Sequence, residues 1–154
     1  MPKTSAGLVV HRLRDGQREV LLVHPGGPYW RNKDDGAWSI PKGEVEEGED
    51  PLTEAAREFG EELGVAPPDV GSATPLGEIR QAGGKRVLAW ALEGDLDVEE
   101  IESNTFEMEW PPRSGRTAEF PEVDRAWWFG LDEARRKLLS GQRPLLDRLS
   151  EPSA

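Results

Sequence analysis

Gly43-Glu44-Val45-Glu46-Glu47-Gly48-Glu49-Asp50-Pro51-Leu52-Thr53-Glu54-Ala55-Ala56-Arg57-Glu58-Phe59-Gly60-Glu61-Glu62-Leu63-Gly64-Val65 is the stretch on which the fold turns. Asp50 suits a helix N-cap and Pro51 the first helical position, while Gly64 is a natural stop just past the last turn. Between them Leu52, Ala55, Ala56, Phe59 and Leu63 recur at helical spacing, which predicts one buried stripe. Glu54, Glu58, Glu61 and Glu62 fall on another face, three or four residues apart. Like charges so placed repel, and the crowding makes sense where a cation sits among them. Hard divalent cations take oxygen ligands and serve phosphate-bearing substrates. Arg57 can relieve part of the repulsion by reaching Glu61 one turn on, or Glu49 before the helix. Gly60 runs against the helix, at about 1 kcal/mol relative to alanine.

As a pattern the segment is G-x5-E-x7-R-E-U-x-E-E-x-G-U, where U is apolar. It resembles the signature of the Nudix hydrolases, with every fixed position filled. The resemblance implies an α/β fold, a Nudix α/β/α sandwich in which helices flank a mixed β-sheet. It also implies a pyrophosphohydrolase cleaving a nucleoside diphosphate linked to another group. The cofactor implied is magnesium, with manganese as the alternative. On the family pattern Glu58 and Glu62 are the core metal ligands, Glu61 is a third ligand or the base, and the backbone carbonyl of Lys42 is a further ligand. Arg57 and Glu49 are the implied salt-bridged frame that aims Glu58.

Composition agrees with a single domain over residues 1–154, long enough for a real core. There is no cysteine, hence no disulfide framework and no thiolate zinc site. The two histidines, His11 and His24, both fall in predicted strands, and His24 reads as a strand residue rather than a ligand. No apolar run reaches membrane-spanning length and no signal-peptide core is evident, so a cytoplasmic enzyme is expected. A net charge of −11 argues against nonspecific nucleic-acid binding and against an anionic membrane surface. A phosphate substrate remains compatible, because bound cations reverse the local field. The expected partner is a small nucleotide, and the expected state is monomer or homodimer.

Along the chain, Ser5 to Leu13 and Glu19 to His24 read as strands joined around Asp15-Gly16. Pro25 to Gly36 reads as a loop, and Ala37 to Ile40 as a short strand leading to Pro41-Lys42-Gly43. Leu76 to Gln81 and Lys85 to Leu92 read as a hairpin about Gly83-Gly84. Thr105 to Trp110 reads as a strand, Pro111 to Pro121 as a second special loop, and Val123 to Phe129 as another strand. Leu131 to Leu139 and Pro144 to Leu149 read as helices. Strands early and late with helices between predict the layered α/β arrangement.

The stretch Pro121 to Leu131 looks like the strand-to-helix region of diadenosine polyphosphate hydrolases, and its matching acid is Glu122, with Glu119 as competitor. Trp38-Ser39-Ile40-Pro41-Lys42-Gly43 resembles the segment before the box in asymmetric diadenosine tetraphosphatases, with Lys42 set to touch a phosphate. Arg31, Lys33, Arg113 and Arg116 stand in the two long loops as candidate phosphate grips. Tyr29 and Trp30 are candidate base-stacking residues, as is Trp128, while core packing is expected of Trp90 and Trp127. The tyrosine usual beyond the box in diadenosine enzymes is absent, since Tyr29 precedes it. The proline set of ADP-ribose enzymes and the NADH-type motif are also missing. The favoured reading is a dinucleoside polyphosphate or related nucleotide. The alternatives are an oxidised nucleoside triphosphate and a non-catalytic nucleotide-binding module.

Overall fold

The hairpin that opens the chain turns at Asp15-Gly16, both at positive φ, and joins β1 (Thr4–Arg14) to β2 (Gln17–Pro25). In this computed structural model residues 4–68 and 70–150 are described. Next along the chain come β3 (Lys42–Glu44), α1 (Pro51–Leu63), β4 (Thr74–Arg80) and β5 (Arg86–Glu93). They are followed by β6 (Thr105–Glu109), β7 (Thr117–Pro121), β8 (Val123–Gly130), α2 (Leu131–Lys137) and α3 (Pro144–Ser150).

The main sheet runs β4-β5-β1-β2-β8, with β3 also on β1, and is mixed because β1 and β5 are parallel. One edge of β1 is shared between two partners. Its C-terminal end, His11 to Arg14, pairs with β2, whereas Ser5 to Gly7 pair with β3. Where β2 parts from β1, the segment before β3 fills the gap: Leu8 donates to the Pro41 carbonyl at 3.1 Å, and Val23 exchanges backbone bonds with Ser39. The short strand expected over Ala37 to Ile40 is therefore present only as two isolated bridges, Val23 to Ser39 and Trp38 to Leu138. Its backbone groups are divided between two neighbours and form no ladder.

Each sheet face buries its own apolar set. On one side Ala6, Leu8, Val10 and Leu21 meet Ala55, Phe59 and Leu63 of α1. On the other, Val9, Val20, Leu22 and Phe129 meet Ala134, Leu138, Leu145 and Leu146. Alternation along β1 and β2 thus feeds both faces. The result is the α/β/α sandwich with a mixed sheet that the sequence predicts.

Residues 111–121, expected to be a loop throughout, contain β7, which pairs antiparallel with β6 from Thr105–Pro121 to Glu109–Thr117. Ala118 and Phe120 turn inward between exposed Thr117, Glu119 and Pro121. This hairpin packs on the loop after β2. A Cβ built on Gly26 falls 1.9 Å from the Pro121 carbonyl oxygen, so only glycine lets the two backbones approach this closely.

Candidate active site

Helix α1 begins and ends where its sequence signals say. The Asp50 carboxylate accepts the Thr53 amide at 3.0 Å, Pro51 opens the first turn, and Gly64, at φ 70°, donates back to the Gly60 carbonyl at 2.8 Å. With Ala55, Phe59 and Leu63 buried against the sheet, the acidic residues are left along the flanks of the helix. The site is built from that flank, from β3 and from the start of β8.

Arg57 organises the carboxylates around it. Its Nε and Nη2 both reach Glu54 Oε2, at 2.8 and 2.6 Å. Nη1 donates to Glu61 at 2.7 Å, and Nη2 also reaches Glu58 at 3.1 Å. The direct pair expected between Arg57 and Glu49 is not among the ion pairs of the described residues; Glu54 stands between them. Glu54, only 7% exposed, is held below the ordinary carboxylate range first by Arg57 and then by Glu49. The neighbouring Glu54 in turn pushes Glu49 up. Glu49 also accepts the Glu46 amide at 3.1 Å. Glu54 lies one turn from Arg57 on the same helix, so it reaches the guanidinium without any loop having to be ordered.

Glu58 and Glu62 have a different environment. Burial first, then Glu122 and Glu58, push the Glu62 carboxyl up to about 8, with Lys42 opposing. Glu58 is also raised, by burial first, with Glu61 and Glu122 adding to the shift against Arg57. Glu122, across the chain on the approach to β8, is thus electrostatically part of this group. Glu119 lies on the exposed face of β7, opposite Glu107.

Lys42 contributes in two ways. The β1–β3 bonds fall at Leu8 to Pro41 and at Val45 to Thr4, so the peptide groups of Lys42 turn away from β1, and its N–H is bonded to the Glu62 carboxylate. The Lys42 ammonium is held down to about 8, by burial first and then by Lys85, against the pull of Glu62. Beside Lys42, Gly43 leaves room for Glu58: a Cβ there would lie 2.2 Å from Glu58 Cγ and 2.3 Å from its Cδ.

A cleft of about 220 Å3 opens where β2 leaves β1. Lys42, Glu62, Glu122 and Trp30 line it, with Val23, Pro25, Ser39 and Ile40. A larger cleft of about 770 Å3, lined by Arg12, Asp95, Asp97, Trp127 and Trp128, touches none of the α1 carboxylates. Among the described residues no three acidic or histidine side chains converge as a finished cation cage, and Arg57 holds Glu54, Glu58 and Glu61 in ion pairs. The donor set nevertheless fits a hard divalent ion. Glu58 and Glu62 are oxygen donors whose carboxyls are both raised by burial first and further by the neighbouring Glu122, and the missing Gly43 side chain gives Glu58 its place.

The other sequence-predicted residues are spread more widely. Tyr29 is exposed and meets Trp110 edge-on at 5.5 Å. Arg31 is on the exposed surface of the loop after β2. The Lys33 ammonium lies 5.2 Å from the centre of the Trp30 ring. Arg113, at φ 60°, and Arg116 sit at the exposed tip of the β6–β7 hairpin. Trp128 is buried, donates to the Leu96 carbonyl at 3.2 Å and is covered by Arg12, in the cleft that touches none of the α1 carboxylates. Trp127, expected in the core, is 57% exposed at the sheet edge. Sequence reasoning missed Gln142, fully buried, which accepts the Ile40 amide and donates to Ser39 and Gln81 at 3.0 Å each. A single glutamine in a polar connection carries no local signal of this.

Among the described residues no helix is long and apolar enough to cross a membrane. The family profile described as NUDIX domain matches residues 2–149. Nudix hydrolase 25 of Arabidopsis thaliana is 48% identical over 40 residues, a stretch that is 26% of this chain and 23% of that relative. A C. elegans Ap4A hydrolase, solved as a binary complex, superposes with a TM-score of 0.63 at 24% identity, over 96% of this chain and 95% of that one. The NUDIX domain of Shewanella oneidensis NrtR, solved with ADP ribose, gives 0.64 at 18% identity, over 97% and 86%. At these identities the solved structures speak for the fold alone, whereas the profile spans nearly the whole chain: this protein belongs to the NUDIX domain family.

Proposed function

We propose that this protein is a divalent-metal-dependent pyrophosphohydrolase that cleaves a phosphoanhydride bond in a nucleoside diphosphate linked to a further group, a dinucleoside polyphosphate being the favoured substrate class. The observation that carries the reading is one cleft lined by Glu62, Glu122, Lys42 and Trp30, with Glu58 seated against the neighbouring Gly43. Glu58, Glu62 and the Lys42 carbonyl are the groups that would hold magnesium or manganese, with Glu61 as a third carboxylate where it is not the base. A bound ion of that kind supplies Lewis acidity and a water of lowered pKa. The chain supplies the rest. The Lys42 ammonium binds a phosphate oxygen, and its half-buried position strengthens that contact. Glu122 accepts the proton of the attacking water, and Glu61 is the other candidate for that base. Arg57 keeps the helix carboxylates from being displaced by their own repulsion.

The resemblance of Trp38 to Gly43 and of Pro121 to Leu131 to diadenosine polyphosphate hydrolases supports the substrate class, as does Trp30 standing in the cleft with Lys42. The test is nucleotide release from a panel of diadenosine tetraphosphate, ADP-ribose, nucleoside triphosphates and 8-oxo-nucleoside triphosphates, each with and without magnesium. Magnesium-dependent cleavage, fastest with diadenosine tetraphosphate, is expected. No cleavage of any member sinks the enzymatic reading, and preference for the oxidised triphosphates moves the substrate to that class.

A further inference from the structure

His24, the penultimate residue of β2, is fully buried and sits at a register shift in the pairing with β8, between His24 and Pro25. Its Nδ1 lies 2.7 Å from Asp124 Oδ1, and its Nε2 lies 2.6 Å from the Lys33 carbonyl oxygen. The Lys33 carbonyl can only accept, so Nε2 donates to it, and Nδ1 faces the Asp124 carboxyl. A buried ring N–H needs an acceptor, and this one takes it from the loop that carries Trp30. Here Lys33 is exposed, yet its carbonyl is brought down to the buried ring. Lys33 is also tied to Trp30 twice: its amide donates to the Trp30 carbonyl at 3.0 Å, and its ammonium lies over the Trp30 ring. Trp30 lines the cleft with Lys42, Glu62 and Glu122. A continuous set of contacts therefore runs from His24 through Lys33 to Trp30, and through Asp124 to the strand that follows Glu122.

We infer that His24 is a positioning residue for substrate binding, which fixes Trp30 in the cleft by holding the Lys33 carbonyl. This rests on the hydrolase reading given above. The two bonds of the ring can be separated chemically. Asparagine at position 24 presents its amide nitrogen near the place of Nδ1, keeping a donor for Asp124 and losing Lys33. Glutamine presents its nitrogen near the place of Nε2, keeping a donor for Lys33 and losing Asp124.

The experiment measures kcat and KM for diadenosine tetraphosphate with saturating magnesium. His24→Asn is expected to raise KM about tenfold with kcat within about threefold, and His24→Gln to hold KM within about threefold of the unaltered protein. Trp30→Ala is expected to raise KM similarly, and the double variant His24→Asn/Trp30→Ala to be no worse than the poorer single variant, because both changes remove the same contact. An unchanged KM in His24→Asn, equal losses in the asparagine and glutamine variants, or a double variant that multiplies the two effects overturns the inference. If His24→Asn does not fold, the two bonds are separated from the partner side. Asp124→Ala, which leaves the Lys33 bond, must hold KM within about threefold, and Lys33→Gly, which loosens the backbone that carries the carbonyl, must raise it. A rise in the first or no change in the second overturns the inference equally. Absence of turnover in the unaltered protein would defeat the hydrolase reading instead. The same ranking is then read as Kd for diadenosine tetraphosphate by titration calorimetry, with the same outcomes deciding.

Discussion

Arg57 grips Glu54 through two nitrogens, at 2.8 and 2.6 Å, and the carboxyl of Glu49 leans on the same Glu54. The arginine is therefore anchored within its own helix, and the loop acid acts on it at second hand. Glu54→Gln is expected to lower kcat/KM about tenfold, the effect of losing roughly 1.4 kcal/mol of positioning. Glu49→Gln is expected to cost less. Steady-state kinetics on the two variants decide the order; a larger loss at Glu49 would show that the loop acid has a role of its own.

Gly43→Ala places a methyl group 2.2 Å from Glu58 Cγ. Glu58 must then move, and a displacement of that size at a reacting centre costs about 10²-fold in kcat. The rise in Tm that saturating magnesium gives the unaltered protein by linkage is expected to shrink in this variant. Glu58→Gln/Glu62→Gln is expected to abolish it. A double variant that keeps the full magnesium shift would place the metal elsewhere.

The pH dependence of stability follows from Glu62 and Lys42. With magnesium chelated, folded Glu62 keeps its proton up to about 8, whereas the unfolded chain loses it near the ordinary 4.5. The folded state binds more protons between those values, so stability falls as pH rises from about 4.5 to about 8. Lys42, held down to about 8 from 10.5, has the opposite sign: the unfolded chain binds more protons above 8, and stability recovers toward 10.5. Tm in chelator should drop by about 3 °C or more between pH 5 and 8, the shift that ~1 kcal/mol produces in a domain of this size. Glu62→Gln should flatten that limb. An unchanged slope in the variant would assign it to other groups.

Glu122 and Glu119 compete for the role of the second acid, and their placements differ. Glu122 lines the cleft and raises both Glu58 and Glu62, while Glu119 faces outward from β7. Glu122→Gln is expected to lower kcat by roughly 10²-fold with little change in KM, the scale of a lost general base. Glu119→Gln is expected to leave kcat within about threefold, since it removes one surface charge. The reverse ranking would exchange their roles.

Arg113 and Arg116 stand at the tip of the β6–β7 hairpin, which packs against the loop carrying Tyr29 through the Tyr29–Trp110 contact. If the tip reaches the distal phosphates, Arg113→Ala/Arg116→Ala raises KM more for longer polyphosphates than for a nucleoside triphosphate, each lost charged hydrogen bond costing about 1.5–3 kcal/mol. A KM change independent of phosphate number would remove these arginines from the binding surface.

The fold was legible where local chemistry and burial point the same way. Asp50, Pro51 and Gly64 delimit α1 in sequence as they do in space, and Phe59 and Leu63 choose its buried face. β7 was not, because Pro111-Pro112 and Ser114-Gly115 read as loop and its own inward pair, Ala118 and Phe120, is too short a period-2 signal. In the site, the gathering of Glu58 and Glu62 follows from helical spacing. The choice of Glu54 over Glu49 by Arg57 depends on where the loop before α1 lies, which no spacing reports. His24 and Gln142 were opaque for a related reason: their partners, at Asp124 and Ile40, are 100 and 102 residues away in sequence.

The divided edge of β1 has a consequence for the order in which a growing chain becomes an enzyme. Leu8 is seated beside Trp90 and Leu22 beside Trp127, so the central strands emerge from the ribosome long before the strands that flank them. Helix α1 can form early from its own caps, but β3, which carries Lys42 to it, leans on a strand still open along its other side. Such distant pairings are slow to close and expose apolar strands meanwhile. Truncated chains ending before β8 should therefore hold helix α1 without a cleft, and a chaperone would meet this protein through the faces of β1 and β2.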